Sequence, residues 1–294
     1  MWCGKPRLSI VAGLLFCTAP AFASELGARA TARGGVGFAD AGDAAAEEWN
    51  IAASALDPRY VIFAGAGLGP DDYVNLRAGA LDSRTSPVAL GAGYARLVDD
   101  VAPTGADRPG WTTPGAALSN PTAWQRVHLG LGVPFLERRM SVAVSARYDW
   151  RTSALAGDDN AFDFGLSVAG RPIDQVTLAL GARNLLDSDY PRITRQADLG
   201  VRWTPGPRFG VEADISAPID ANVSVDRFVW RGGLDAGLAD WLALRGGWST
   251  EAGTNFASVG VGLIHTSVVL DYGVKIQLDD PSRNWHALDL RVNF

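Results

Sequence analysis

The sequence of 294 residues holds only two cysteines, Cys3 and Cys17, and both lie close to its N-terminus. The rest of the chain can therefore form neither an internal disulfide nor a thiolate metal site. Histidine is almost as scarce, with His128, His265 and His286 as its only instances. A chain this poor in metal-binding side chains predicts no transition-metal site and no bound cofactor.

Long apolar runs are also missing, because no stretch reaches the roughly 18 residues that a membrane-spanning helix needs. The N-terminus has two basic residues, a short apolar run and small residues around Ala23, which predicts a secretory signal over residues 1–23. A lipoprotein anchor at Cys17 is the alternative. The bulky Phe16 before that cysteine counts against it, since a small residue is needed there.

Basic residues are outnumbered by acidic ones. The formal charge of the whole sequence is −6, from 26 basic and 32 acidic residues. Removal of Lys5 and Arg7 with the signal leaves 24 basic residues, and 24 − 32 gives −8. This excess of negative charge argues against nucleic acid as a partner.

The main pattern in the sequence after the predicted signal is the alternation of apolar residues with polar or small ones. One parity near the C-terminus holds Val268, Leu270, Tyr272, Val274 and Ile276. A period of two places the two parities on opposite faces of a strand. From Trp124 to Phe294 no apolar-parity position inside a segment carries a formal charge, which is typical of the lipid-facing side of a membrane β-barrel. A soluble β-sandwich also alternates and is the alternative.

The alternation predicts about fourteen strands. Their spans are 59–68, 73–81, 88–98, 124–134, 138–149, 161–170, 174–184, 195–204, 208–216, 226–236, 239–248, 255–264, 267–278 and 284–294. Long connections such as 99–123 alternate with tight ones such as 205–207, as in outer-membrane barrels and unlike Greek-key sandwiches. Aromatic girdles are expected from side chains near strand ends: Trp124, Tyr148, Trp150, Trp203, Trp241 and Trp248.

Charged residues of the other parity are expected to face the lumen. They are Arg147, Asp163, Arg183, Asp198, Arg202, Glu212, Asp214, Arg231, Asp235, Arg245, Asp271, Lys275, Asp289 and Arg291. An Arg or Lys on the lipid side near the bilayer midplane would cost about 2 to 4 kcal/mol, so these charges fix the register. Their equal numbers of each sign predict structural ion pairs rather than a charge-selective pore.

Glycines share the inward parity in most strands. They are Gly130, Gly132, Gly165, Gly181, Gly200, Gly210, Gly233, Gly260, Gly262 and Gly273. The space they leave could admit a plug, admit a solute, or allow close strand twisting. A plug is the favoured interpretation, because residues 24–58 are rich in Ala and Gly and can thread a barrel interior as a hatch. The hatch motif residues are Gly34, Gly35, Asp40, Asp43 and Asn50.

This segment resembles the start of the FadL superfamily of outer-membrane proteins, especially its smaller PorV-like members. Those proteins begin with a similar Gly-Gly-Ala, acidic-Ala and Asn-Pro-Ala series, with Ile51 here in place of the proline. The runs from Leu180 to Leu185 and from Trp241 to Trp248 look like strand segments of the same group. The resemblance implies an all-β, closed antiparallel transmembrane barrel over residues 59–294, with the 24–58 hatch in its lumen.

Two functions follow from the resemblance. The first is an outer-membrane channel for passive passage of hydrophobic or amphiphilic small molecules. The second is a PorV-like component that assists protein secretion or surface assembly. An enzyme is a third class, and we expect none, because no Ser with an Asp partner accompanies the inward His128.

Expected partners follow from the location in a cell outer membrane. They are membrane lipid and lipopolysaccharide, a hydrophobic ligand, and the barrel assembly machinery, which would meet the terminal aromatic Phe294.

Overall fold

The computed structural model describes residues 27–40, 50–70, 73–99, 122–153, 158–186, 195–219, 227–251 and 253–294. The expected signal over residues 1–23 and the hatch residue Asp43 lie outside these described residues. Both stay predictions.

The described residues form fourteen strands and two short helices. The strands are β1 (Tyr60–Leu68), β2 (Val74–Asp82), β3 (Ala89–Asp99), β4 (Thr122–Phe135), β5 (Met140–Ser153), β6 (Asp159–Ile173), β7 (Val176–Arg183), β8 (Gln196–Gly206), β9 (Phe209–Pro218), β10 (Val229–Ala239), β11 (Leu242–Glu251), β12 (Thr254–His265), β13 (Val268–Gln277) and β14 (Asn284–Asn293). The helices are α1 (Ala28–Ala32) and α2 (Ile51–Ala55). Every strand pairs antiparallel with its neighbours and β14 pairs with β1, so the sheet is a closed barrel. The predicted fold class is confirmed.

The two faces of the wall have the chemistry that the period of two predicts. In β13, Val269 and Asp271 are buried, whereas Leu270 and Tyr272 are each 39% exposed. Large apolar side chains are exposed on the outer side of strands all around the barrel. The sandwich alternative requires a second sheet that covers these side chains, and the described residues form no such sheet. The exterior is therefore a surface for lipid.

The two ends of the barrel differ in their connections. At one end, which we call the inner end, the turns are tight, for example residues 207–208 and 266–267. At the other end, the outer end, the connections include the 22 residues from 100 to 121 that separate β3 from β4. Long loops lie on the extracellular side of outer-membrane barrels, so the inner end faces the periplasm.

The first and last strands meet at a seam near the inner end. The backbone N–H of Phe294 donates to the carbonyl of Tyr60 at 2.9 Å, and the two rings lie 5.2 Å apart. Arg84, in the β2–β3 turn, donates from its guanidinium to the Phe294 carbonyl at 2.5 Å. Phe294 is thereby held by β1 and by the β2–β3 turn.

Two details differ from the sequence expectations. The ladder between β5 and β6 continues through the pairs Trp150–Asn160 and Arg151–Asp159, so both strands project beyond their apolar segments. Backbone pairing does not require a lipid-facing side chain. The spans predicted from apolar alternation are therefore shorter than the paired strands. Trp124, expected in a girdle, lies on the inward parity of β4, with the Arg151 guanidinium 5.3 Å from its ring.

None of the described helices is long and apolar enough to cross a membrane.

Candidate functional site

The hatch begins with α1, whose sequence Ala-Arg-Ala-Thr-Ala has side chains small enough to lie inside the barrel. Its alanines are at most 3% exposed. The helix ends at Ala32 and is followed, after Arg33, by Gly34 and Gly35, with φ values of 74° and 86°. This left-handed conformation suits glycine, and a Cβ on Gly34 would also collide with the backbone of Trp248.

Asn50 joins the two parts of the hatch. Its side-chain oxygen accepts hydrogen bonds from the backbone N–H groups of Ala52 and Ala53, and so caps the N-terminus of α2. Its side-chain amide donates to the carbonyl of Phe38 at 2.7 Å. Asn50 is 1% exposed, so its side chain stabilises both the helix and the fold of the hatch.

Seven of the ten inward glycines lie where the hatch approaches most closely, whereas a Cβ on Gly165, Gly210 or Gly262 would meet wall atoms. A Cβ on Gly130 would meet Ile51, one on Gly181 would meet Phe38, and one on Gly233 would meet Arg33 and Val36. Other close approaches of this kind involve Gly132, Gly200, Gly260 and Gly273. Hatch atoms occupy the space beside these glycines, so the geometry supports the plug interpretation.

A network of ion pairs connects α1 and residues 33–40 to strands β8 to β14. Its members are Arg29, Arg33 and Asp40 of the hatch and Arg202, Glu212, Asp235, Arg245, Asp271 and Arg291 of the wall. At its centre, the buried Arg33 guanidinium lies 3.0 Å from both Asp40 and Asp235 and 3.2 Å from Glu212. Each buried charge has an opposite charge nearby, which is the condition for tolerating it there.

Backbone groups of the hatch also donate to wall carboxylates. Asp214 accepts from the N–H groups of Gly37 and Phe38 at 2.8 and 3.1 Å, and Glu212 accepts from Ala39 at 2.9 Å. These bonds satisfy N–H groups that the irregular segment cannot pair internally. The hatch is therefore held by directional bonds on this side of the lumen.

On the opposite side α2 packs through apolar contacts. Ile51, Ala52, Ala53, Ala55 and Leu56 form one buried cluster with wall residues, namely Leu81, Ala89, Ala143, Ala169 and Ala179. The polar contacts here are few, among them the bond from the Ser141 hydroxyl to the Ala52 carbonyl at 2.5 Å. Small wall side chains let the helix approach the strands closely.

The remaining predicted lumen charges lie inside the barrel in local groups. Arg183 pairs with Asp198 at 2.6 Å, and Ser216 connects Asp198 to Arg231. Arg147 pairs with Asp149, and Asp163 accepts from the backbone N–H of Leu186. Asp289 accepts from Arg77 and from the backbone N–H of Ala28, which fixes the start of α1.

Lys275 forms a separate group near the outer end. It is fully buried, lies 2.5 Å from Glu251 and has its ammonium 4.3 Å from the centre of the Phe256 ring. Trp285 packs edge-on against Phe256 at 5.6 Å. The outer ends of four strands, β11 to β14, are thereby held together inside the wall.

Sequence reasoning missed several residues of this interior. Arg29 and Arg33 precede the Gly-Gly pair and belong to no periodic pattern, so nothing marked them as partners for wall carboxylates. Arg77 was missed because glycine and alanine blur the alternation in the first three strands. Its inward parity in β2 was the available signal.

Chemically, the lumen is a packed ionic interior. No group of three or more possible metal ligands occurs among the residues that the structure describes. Every lumen charge that the sequence analysis named has a neighbouring charge, a hydrogen-bond donor or an acceptor. The arrangement is therefore suited to holding the hatch.

No family model matches the chain, and no curated protein matches it. Among solved structures, the toluene transporter TodX of Pseudomonas putida is similar, with TM-scores of 0.61 and 0.62 in two crystal structures and 12% identity. The match covers 92% of this chain and 97% of TodX. A FadL homologue of Pseudomonas aeruginosa matches with a TM-score of 0.59 and 12% identity over 91% of this chain and 98% of its own.

The likeness to these proteins and the lipid-facing exterior agree with each other. A closed barrel of this kind, with its apolar side chains exposed and its charges inside, is solvated by an outer membrane. The chain therefore has the fold of the FadL-superfamily outer-membrane barrels.

Proposed function

We propose that the protein is an outer-membrane channel for passive passage of hydrophobic or amphiphilic small molecules. The observation that carries the proposal is the hatch, which fits the inward glycines of a barrel whose fold is shared with a toluene transporter. A barrel that encloses such a hatch needs a path for solute that avoids the ionic interior, because an apolar solute cannot replace the bonds made there.

A break in the ladder between β6 and β7 supplies a candidate path. Their pairing ends at Leu166–Ala182, although β6 continues outward to Asp159. Asn184, with a φ of 60°, interrupts the extended backbone after β7. Beyond this point the backbone N–H of Leu185 donates to the Phe164 carbonyl at 3.1 Å. We place the exit of the solute through the wall at this break, above the hatch.

Uptake of labelled toluene, an alkane and a long-chain fatty acid tests the channel itself. Cells with the intact protein should take up at least one of these compounds several-fold faster than cells without it. Uptake of a hydrophilic sugar should not differ, because an apolar path offers no advantage to a hydrated solute. Equal uptake of all compounds by both strains would refute the channel.

Disulfide staples test the path. The variant Leu166→Cys with Ala182→Cys joins the last pair of the β6–β7 ladder, and Gly170→Cys with Leu178→Cys joins a pair near the inner end of the same strands. Solute passage requires β6 and β7 to separate further at the break, which the first disulfide prevents. Oxidation should therefore slow hydrocarbon uptake about tenfold or more in the first variant only, and a reductant should restore it. Equal rates in the two oxidised variants would place the path elsewhere.

Fixing the hatch gives the complementary test. Cysteines in place of Ala55 and Gly132 would have Cβ atoms 3.1 Å apart before relaxation, slightly below the roughly 3.5 to 4.5 Å of a disulfide. Uptake should survive this staple if solute leaves above the hatch. If the Ala55–Gly132 disulfide abolishes uptake and the β6–β7 disulfide does not, the path leads through the hatch instead.

The PorV-like role in secretion stays a prediction, since the similar structures described above give it no support. Recognition of Phe294 by the barrel assembly machinery also stays a prediction. Its ring is 57% exposed at the inner end, which is compatible with such a contact.

A further inference from the structure

One charged side chain breaks the apolar exterior of the wall. Arg96 lies on the outward parity of β3, is exposed, and has Leu76 of β2 and Gln125 of β4 as its cross-strand neighbours. Within the described strands it is the one Asp, Glu, Lys or Arg on the outward side that is not at a strand end. Its own side chain makes no hydrogen bond or ion pair with any described residue.

The position of Arg96 along the strand limits what it can contact. The outer end of β3, Asp99, lies three positions further along the strand, which is roughly 10 Å. A lipid-facing Arg costs about 2 to 4 kcal/mol at the midplane and about 0 to 1 near an interface. The long side chain can therefore reach the headgroup level of the outer leaflet while its stem lies along apolar surface.

The neighbours of Arg96 on the exterior are polar or aromatic. Along the hydrogen-bonding direction from Arg96, the successive cross-strand partners on β4, β5 and β6 are Gln125, Trp150 and Asn160. Tyr94 donates from its hydroxyl to the Gln125 side-chain oxygen at 2.7 Å, and its ring lies 6.4 Å from Trp150. A guanidinium, two amides and two amphipathic rings thus share one outward patch, which we call the Arg96 patch.

This chemistry fits one kind of lipid. A guanidinium binds phosphate through two parallel hydrogen bonds. The amides of Gln125 and Asn160 can bond sugar hydroxyls, and the rings can lie against sugar faces. A phospholipid headgroup offers the phosphate without the sugars. We propose that the Arg96 patch is a binding site for the phosphorylated glucosamine headgroup of lipid A in the outer leaflet.

The test compares lipids and variants with the full-length protein in detergent. The probes are diphosphorylated lipid A, dephosphorylated lipid A and phosphatidylglycerol, and affinity is measured by titration with a fluorescent lipid A. Arg96→Gln should weaken binding of diphosphorylated lipid A about tenfold, as expected for loss of a charge-assisted contact. Removal of the phosphates should weaken binding to the native protein by a similar factor.

Arg208→Gln is the matched control. Arg208 is also exposed and its loss also removes one positive charge, but it lies at the inner end, paired with Asp240. Its replacement should change the affinity for lipid A less than twofold. Arg96→Lys keeps the charge without the two parallel bonds and should give an intermediate affinity, which provides a second variant if the Gln substitution impairs folding.

Two results would overturn the proposal. One is an unchanged affinity of Arg96→Gln for diphosphorylated lipid A. The other is an equal loss of affinity for phosphatidylglycerol, which would make Arg96 a general contact for anionic lipid. Retention of lipid A by the native protein after purification, and its loss from Arg96→Gln, should be visible by native mass spectrometry.

Discussion

The two helices of the hatch are held against the wall by different forces. Around α1 the contacts are ion pairs and bonds to carboxylates, with Arg33 at 0% exposure in their centre. Around α2 they are contacts between small apolar side chains, with Ile51 in their centre. Buried ion pairs depend on geometry and on every partner being present, whereas apolar contacts tolerate small shifts.

This difference indicates how the hatch could respond to strain. Movement of α1 would leave charges such as Glu212 buried without their partners, which is costly. Movement of α2 would expose mainly Ala and Ile surface. We therefore expect the α2 side to be the more adaptable, and three substitutions measure the contrast.

The largest effect is expected for Arg33→Met. It leaves Asp40, Glu212 and Asp235 with less positive charge, and removal of one partner of a buried pair costs about 3 to 5 kcal/mol. Arg202 also contacts all three carboxylates, so the free energy of unfolding should fall by about 3 kcal/mol. Urea unfolding in detergent micelles gives the value.

The control for this substitution is Arg139→Met, since Arg139 pairs with Asp174 in an exposed turn. Exposed pairs contribute about 0 to 1 kcal/mol. Similar losses in the two variants would mean that the ion-pair network does not hold the hatch.

A smaller effect is expected for Ile51→Ala, which tests the apolar side. Ile51 is 1% exposed and lies against Gly130 and Gly132, whose backbones cannot fill a cavity. Loss of a buried Ile side chain typically costs about 2 to 5 kcal/mol, and we expect the lower part of this range if α2 can shift inward. Urea unfolding again provides the measurement, and Ile51→Val should cost about 0.5 to 1.5 kcal/mol. A larger loss of unfolding free energy in Ile51→Ala than in Arg33→Met would contradict the expected order.

The smallest effect concerns Asp57, where the hatch leaves the lumen. Partial burial raises the pKa of this carboxyl, but two hydrogen bonds from Arg171, at 2.5 and 2.7 Å, and the nearby positive charges outweigh burial and lower the pKa overall. A lowered folded-state pKa contributes stability above the unfolded value of about 4, and this is lost as the pH falls through the folded value.

The pair is half-exposed, so the contribution should stay below about 1 kcal/mol. Native protein should exceed Asp57→Asn in unfolding free energy at pH 6, and the gap should narrow as the pH falls below the unfolded value of about 4. A gap that stays constant between pH 6 and pH 3 would show that the carboxylate charge is not its source.

Strand positions were predictable because lipid imposes a strict rule on one face. The spans 267–278 and 284–294 agree with β13 and β14 within one residue at each end. The hatch contacts were not predictable in this way. Arg33 meets Glu212 across 179 positions of sequence, and no local periodicity specifies such a pair. Asp40 and Asn50 were recognised as motif residues, but their partners depend on how the segment crosses the lumen.

The seam has a consequence for how the protein is assembled in the cell. Because β14 pairs with β1 at this seam, the wall cannot close until both strands are in place. The hatch residues precede β1 in the sequence. They can therefore lie against the early strands before Phe294 reaches Tyr60, and closure of the barrel then encloses them. Inserting them afterwards would require threading through a lumen already crowded with side chains.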